Sequence, residues 1–128
     1  MQVIHFRRPI GHPKGRPVEA AARERVRELL GAGPLRRDLL IEYLHRLQDG
    51  EGSLPVGLLT ALAEAMRLAP AEVYEVASFY HHFDVRADGE SAPPWLTVRV
   101  CESLSCAMAG AGILLAGLRE QLGDSVRV

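Results

Sequence analysis

Apolar residues recur at helical spacing through the first two-thirds of the chain. After Pro17, Val18, Ala21, Ala22, Val26, Leu29 and Leu30 lie on one face until Gly31 ends the run, which predicts a first helix. From Leu35 to Gln48, Leu39, Leu40, Tyr43, Leu44 and Leu47 share one face, opposite Arg36, Arg37, Glu42 and Arg46. DGEGS then breaks the pattern. Ser53 is placed to cap a third helix, with Pro55 near its start and Leu58, Leu59, Leu62, Ala65 and Met66 along it, ending near Leu68. Pro70 opens a fourth, in which Val73, Val76, Ala77 and Tyr80 share a face while Glu72 and Glu75 occupy the early turns. Four short helices predict a bundle.

The period changes at His82. Phe83 and Val85 alternate with polar neighbours, ADGESAPP is turn chemistry, and Leu96, Val98 and Val100 form a strand pattern that delivers Cys101 at its end. Cys106 follows where a helix rich in Ala, Gly and Leu begins. The final SVRV after Gly123 reads as a second strand, so Leu96–Cys101, the helix and Ser125–Val128 predict a β-α-β unit. Ahead of the bundle, Pro9, Gly11, Pro13 and Gly15 stand among basic residues without an apolar period, which predicts an extended arm. The expected division is an arm over 1–16, a helical bundle over 17–82 and an α/β part over 83–128. The fold class is α+β.

Composition narrows the function. With 128 residues, 48% apolar and 24% charged, the chain can bury about two-thirds of its unfolded surface and is a globular protein. A net charge of −1 provides no field toward nucleic acid or an anionic membrane. No apolar run reaches the length of a membrane span, and MQVIHFRRPIGHPKG lacks the apolar core of a signal peptide, so a cytoplasmic protein without direct membrane insertion is expected. LLTALAEAM–RLAP–AEVYEV resembles a helix-turn-helix, but its second helix bears Glu72 and Glu75 and no basic residue, which argues against DNA.

Two cysteines in a reducing compartment point to metal or redox chemistry. The C-x4-C spacing suits cluster ligation better than a dithiol switch, which usually places two residues between its cysteines. The helix N-terminus is expected to lower the pKa of Cys106. Buried structural thiols within a helical interaction module, and a disulfide switch, remain open on the residues alone. His81 and His82, adjacent on a helix end, diverge by about a hundred degrees and do not easily share an ion. His5, His12 and His45 show no supporting spacing.

AEVYEVASFYHHFDV (71–85) followed by RVCESLSCAMAGA (99–111) resembles the small thioredoxin-like 2Fe-2S ferredoxin subunit of respiratory NADH:quinone oxidoreductase, a module that recurs in NAD-dependent formate dehydrogenases and NAD-reducing hydrogenases. YLHRLQDGEGSLP (43–55) fits the helix, glutamine-containing turn and helix that lead into it. RRDLLIEYLHRLQD, YHHFDV and RVCESLSCAM are most similar to the N-terminal region of the flavin-bearing β subunit of bacterial NAD-dependent formate dehydrogenase. The resemblance implies an electron-transfer module in which a helical bundle precedes a thioredoxin-like domain, here only its first β-α-β part. It also implies a 2Fe-2S cluster whose first ligand pair maps onto Cys101 and Cys106, with FMN and NAD on a neighbouring subunit or domain. The second pair, a C-x3-C, is expected after the next strand, so either the chain is a non-catalytic fragment of a longer protein, the preferred expectation, or another chain supplies the missing half. By itself it is expected to hold no stable cluster and to self-associate through its open strand edge.

Overall fold

A computed structural model describes residues 16–128. The expected arm therefore lies, apart from Arg16, outside the described residues, as do His5 and His12.

The first half is a bundle of α1 (Ala20–Leu30), α2 (Leu40–Glu51), α3 (Val56–Met66) and α4 (Pro70–Phe79). Leu44, Leu47, Leu59, Leu62 and Val73 are its fully buried centre, with Val26 contributed by α1 and Phe83 closing the far side. The expected helices are present, with shifted ends. A 3₁₀ turn at Arg37–Leu39 precedes α2, and α2 runs on through Asp49–Gly50 to stop at Gly52, in the left-handed region at φ 71°. Gly50 is tolerated because α1 lies against it: a Cβ there would meet Leu29 Cδ2 at 2.6 Å. At the end of α3, Arg67 adopts φ 56°, and its N–H and that of Leu68 donate to Glu64 O and Ala63 O at 3.1 and 2.9 Å. This paired closure satisfies two carbonyls and turns the chain into α4.

Ser53 does not cap α3. It is fully buried, and its Oγ accepts from Arg86 Nε at 2.7 Å. The cause is a feature too short for any sequence period: β1 (Leu54–Pro55) pairs in parallel with β2 (Val85–Arg86), Leu54 opposite Val85. Gln48, from the last turn of α2, fixes the chain just before β2. Its Nε2 donates to His82 O at 2.7 Å, and its Oε1 accepts from Asp84 N at 2.6 Å.

The second half has the expected β-α-β order in reduced form. Thr97 and Arg127 form a single parallel bridge, with Val98 N donating to Arg127 O at 2.7 Å and Arg127 N to Leu96 O at 3.1 Å. The connecting helix is two helices, α5 (Leu104–Met108) and α6 (Ala111–Leu122), because Gly110 sits at φ 98° between them. Arg127 ties this half to the bundle. Its guanidinium forks onto both oxygens of Asp84 at 2.6 and 2.8 Å, and Asp84 O in turn accepts from Leu54 N at 2.8 Å. The molecule is thus α+β, a helical bundle followed by a reduced β-α-β unit. No helix among the described residues is long and apolar enough to cross a membrane.

Candidate metal centre

The extended segment Leu96–Val100, bridged to Arg127 at Thr97, leads into Cys101. Ser103 then precedes the first turn of α5, which carries Cys106. Cys101 is exposed and Cys106 half-buried. Both line one open cavity of about 520 Å³, whose walls include Val98, Val100, Gly110 and Leu114. The end of an extended segment and the start of a helix thus present both thiols to one apolar-walled space.

The electrostatics of the loop act on Cys101. Ser103 Oγ lies 3.2 Å from its Sγ, and this contact is the main reason that the Cys101 thiol is held below the ordinary range. The Ser103 backbone N–H and the neighbouring Cys106 thiol act in the same direction, against a small opposing effect of burial. Hydrogen bonds of this kind favour the thiolate, the form that binds metal.

Among the described residues no three or more His, Cys, Asp or Glu side chains come together as a metal site. The two cysteines therefore suit one iron of a thiolate-held cluster, which takes two cysteines per iron. The second iron would need ligands from elsewhere, since the sequence has no further cysteine.

His81 and His82 are not brought to one site. The His82 ring instead lies 4.7 Å from that of His45 and 5.5 Å from Phe83, and His45 packs edge-on to Phe83 at 4.9 Å. Sequence spacing gave no sign of the His45–His82 contact, which depends on Gln48 holding residues 82–84 against α2. A second apolar surface lies between α2 and α4, where Ile41, Val76, Phe79 and Tyr80 line a groove of about 440 Å³ with Glu72 and Glu75 beside it. The helical period placed Val76 and Tyr80 on the core face, but Val76 is only half-buried and Tyr80 is exposed.

The model of the thioredoxin-like [2Fe-2S] ferredoxin family matches residues 26–127. The chain is 35% identical over 115 residues to the E subunit of the NADH-quinone oxidoreductase of Mycobacterium tuberculosis, an alignment covering 88% of this chain and 44% of that protein. It is 34% identical over 88 residues to NADH-quinone oxidoreductase subunit 2 of Thermus thermophilus, covering 69% and 46%. With NADP-reducing hydrogenase subunit HndA of Solidesulfovibrio fructosivorans the identity is 30% over 89 residues, covering 70% and 49%. The chain thus spans a little under half the length of these relatives. A matched region that takes in three bundle helices, the β1–β2 pair, the cysteine loop and the returning strand makes this chain a member of the thioredoxin-like 2Fe-2S ferredoxin family.

Proposed function

We propose that this chain is an electron-transfer module of an NAD(P)-linked oxidoreductase complex, in which Cys101 and Cys106 hold one iron of a 2Fe-2S cluster. The observation that carries the reading is the pairing of the two thiols on one open cavity, with Cys101 biased toward thiolate by Ser103. When bound, the cluster would supply one-electron transfer. The chain's own residues have simpler tasks. Ser103 stabilises the Cys101 thiolate, Val98, Val100 and Leu114 wall the site with apolar surface, and the Asp84–Arg127 fork anchors the strand that presents Cys101.

In this reading, residues 17–82 are the anchoring bundle and 83–128 the cluster-bearing part. The neighbouring subunit or domain carries the flavin and the nicotinamide site, as in complexes of the formate dehydrogenase or NADH dehydrogenase type. The exposed α2–α4 groove gives the bundle an apolar surface for that contact. A helical adaptor with inert structural thiols fits less well, because Cys101 is exposed and its thiol is tuned.

Electron paramagnetic resonance of the reduced host complex tests the reading. A 2Fe-2S signal is expected that disappears when Cys101→Ser and Cys106→Ser are combined. A signal that survives the double substitution removes these residues as ligands.

A further inference from the structure

Two histidines far apart in sequence meet where the bundle grips the chain ahead of β2. The ring of His45, in α2, and that of His82, in the turn after α4, have centroids 4.7 Å apart and planes inclined at 43°. Both rings also pack on Phe83, at 4.9 and 5.5 Å. The backbone beneath them is fixed. Gln48 binds the carbonyl of His82 and the N–H of Asp84 at 2.7 and 2.6 Å, which holds residues 82–84 against α2. The rings themselves are uncommitted: no side-chain hydrogen bond or ion pair among the described residues uses either imidazole. His82 is exposed, and no ring nitrogen of the half-buried His45 is sealed from solvent.

We infer that His45 and His82 form a binding site for one divalent ion of the nickel, copper and zinc class, which ties α2 to the segment entering β2. Imidazole is a ligand that suits these ions. With metal–nitrogen bonds of about 2.1 Å, two imidazoles on one ion, at angles from square-planar to tetrahedral, place their centroids roughly 4.5–5.3 Å apart. The observed 4.7 Å lies within that window. No third His, Cys, Asp or Glu side chain of the described residues completes the site, so water fills the remaining positions and the ion exchanges with solution. Loading transfers no electrons; each neutral ring gives one nitrogen lone pair. A bound ion acts as a second clamp beside Gln48 on the segment whose Asp84 receives the Arg127 fork. It therefore strengthens the attachment of the second half to the bundle, independently of the cysteines.

The test is calorimetric titration of the full chain with nickel ion, in a Cys101→Ser, Cys106→Ser background so that the thiols do not compete. Binding is expected that weakens about tenfold or more with His45→Gln and with His82→Ala. His81→Ala, next in sequence but outside the pair, should leave it unchanged. Nickel should also raise the thermal unfolding midpoint of the parent and leave that of His82→Ala where it is. His82 is exposed, so this variant should keep the circular dichroism of the parent, which separates loss of a ligand from loss of the fold. Absence of binding would overturn the inference, as would binding that survives both substitutions. Binding lost with His5→Ala, His12→Ala or His81→Ala to the same degree as with His82→Ala would overturn it too.

Discussion

LLTALAEAM in α3 and GILLAGL in α6 are similar apolar stretches with opposite fates. Leu62 is fully buried, as are Leu44, Leu47 and Leu59 around it, whereas Ile113 is 82% exposed and Trp95, at the start of the second half, is 91% exposed. Among the described residues beyond Phe83, the only buried hydrophobic one is Ala111. The bundle finds its partners within its own sequence: α1 and α4 each pack on α3, and α2 packs on α1 and α4. The second half offers one bridged strand and one broken helix, and such a pair cannot cover both of its own faces. Apolar periodicity thus reports a capacity to bury, and the partner decides whether burial occurs.

The comparison breaks most visibly at its extremes. Leu62→Ala should destabilise the bundle by about 2–5 kcal/mol in urea unfolding, because it leaves a cavity in a close-packed centre. Ile113→Ala should change stability by no more than about 0.5 kcal/mol in the unassembled chain. Equal losses would mean that α6 belongs to the same core.

A smaller effect is expected where the halves meet. Arg127→Ala removes the fork onto Asp84 and should cost about 1 kcal/mol, since the pair is only partly shielded from water. Arg127→Lys should recover little of this, because an ammonium cannot make both bonds in the fork geometry.

At the cysteine loop the change is in reactivity. The rate of iodoacetamide alkylation of Cys101, followed by peptide mass, should rise with pH at a midpoint below that of an ordinary thiol. Ser103→Ala should move that midpoint upward, toward about 8.5. An unchanged midpoint would remove Ser103 as the cause.

The smallest effect concerns the bundle surface. Glu64, held below the usual carboxylate range by its hydrogen bond to Arg23, contributes stability that is present above the unfolded carboxylate pKa and lost as pH falls through the folded one. Glu64→Gln should therefore make the urea midpoint slightly less sensitive to pH between about 6 and about 3.

The comparison also explains what could be read from the chain. The helices were legible because Gly31, Gly52, Pro55 and Pro70 punctuate long apolar periods. The β1–β2 pair was not, since two-residue strands leave no period and their pairing depends on residues some thirty positions apart. For the same reason Ser53 looked like a cap: its partner Arg86 is visible only in three dimensions. The cysteines could be placed at a strand end and a helix start from sequence alone. The lowering of the Cys101 thiol depends on the hydroxyl of Ser103, a matter of side-chain placement that spacing does not encode. Gly110 could have been read as a helix break, but Gly112 and Gly117, in the same run, lie inside α6.

The bundle fills its own core, whereas on the proposed cluster reading the cysteine-bearing half gains its order when Cys101 and Cys106 hold iron. Hydrogen exchange resolved along the chain within the host complex, before and after the iron is removed, measures this difference. Slow exchange is expected at Leu44, Leu47, Leu59 and Leu62 under both conditions. Across residues 96–127, fast exchange is expected without iron and marked protection with it. Protection of α6 equal to that of α3 in the absence of iron would mean that the cysteine-bearing half is ordered without its metal.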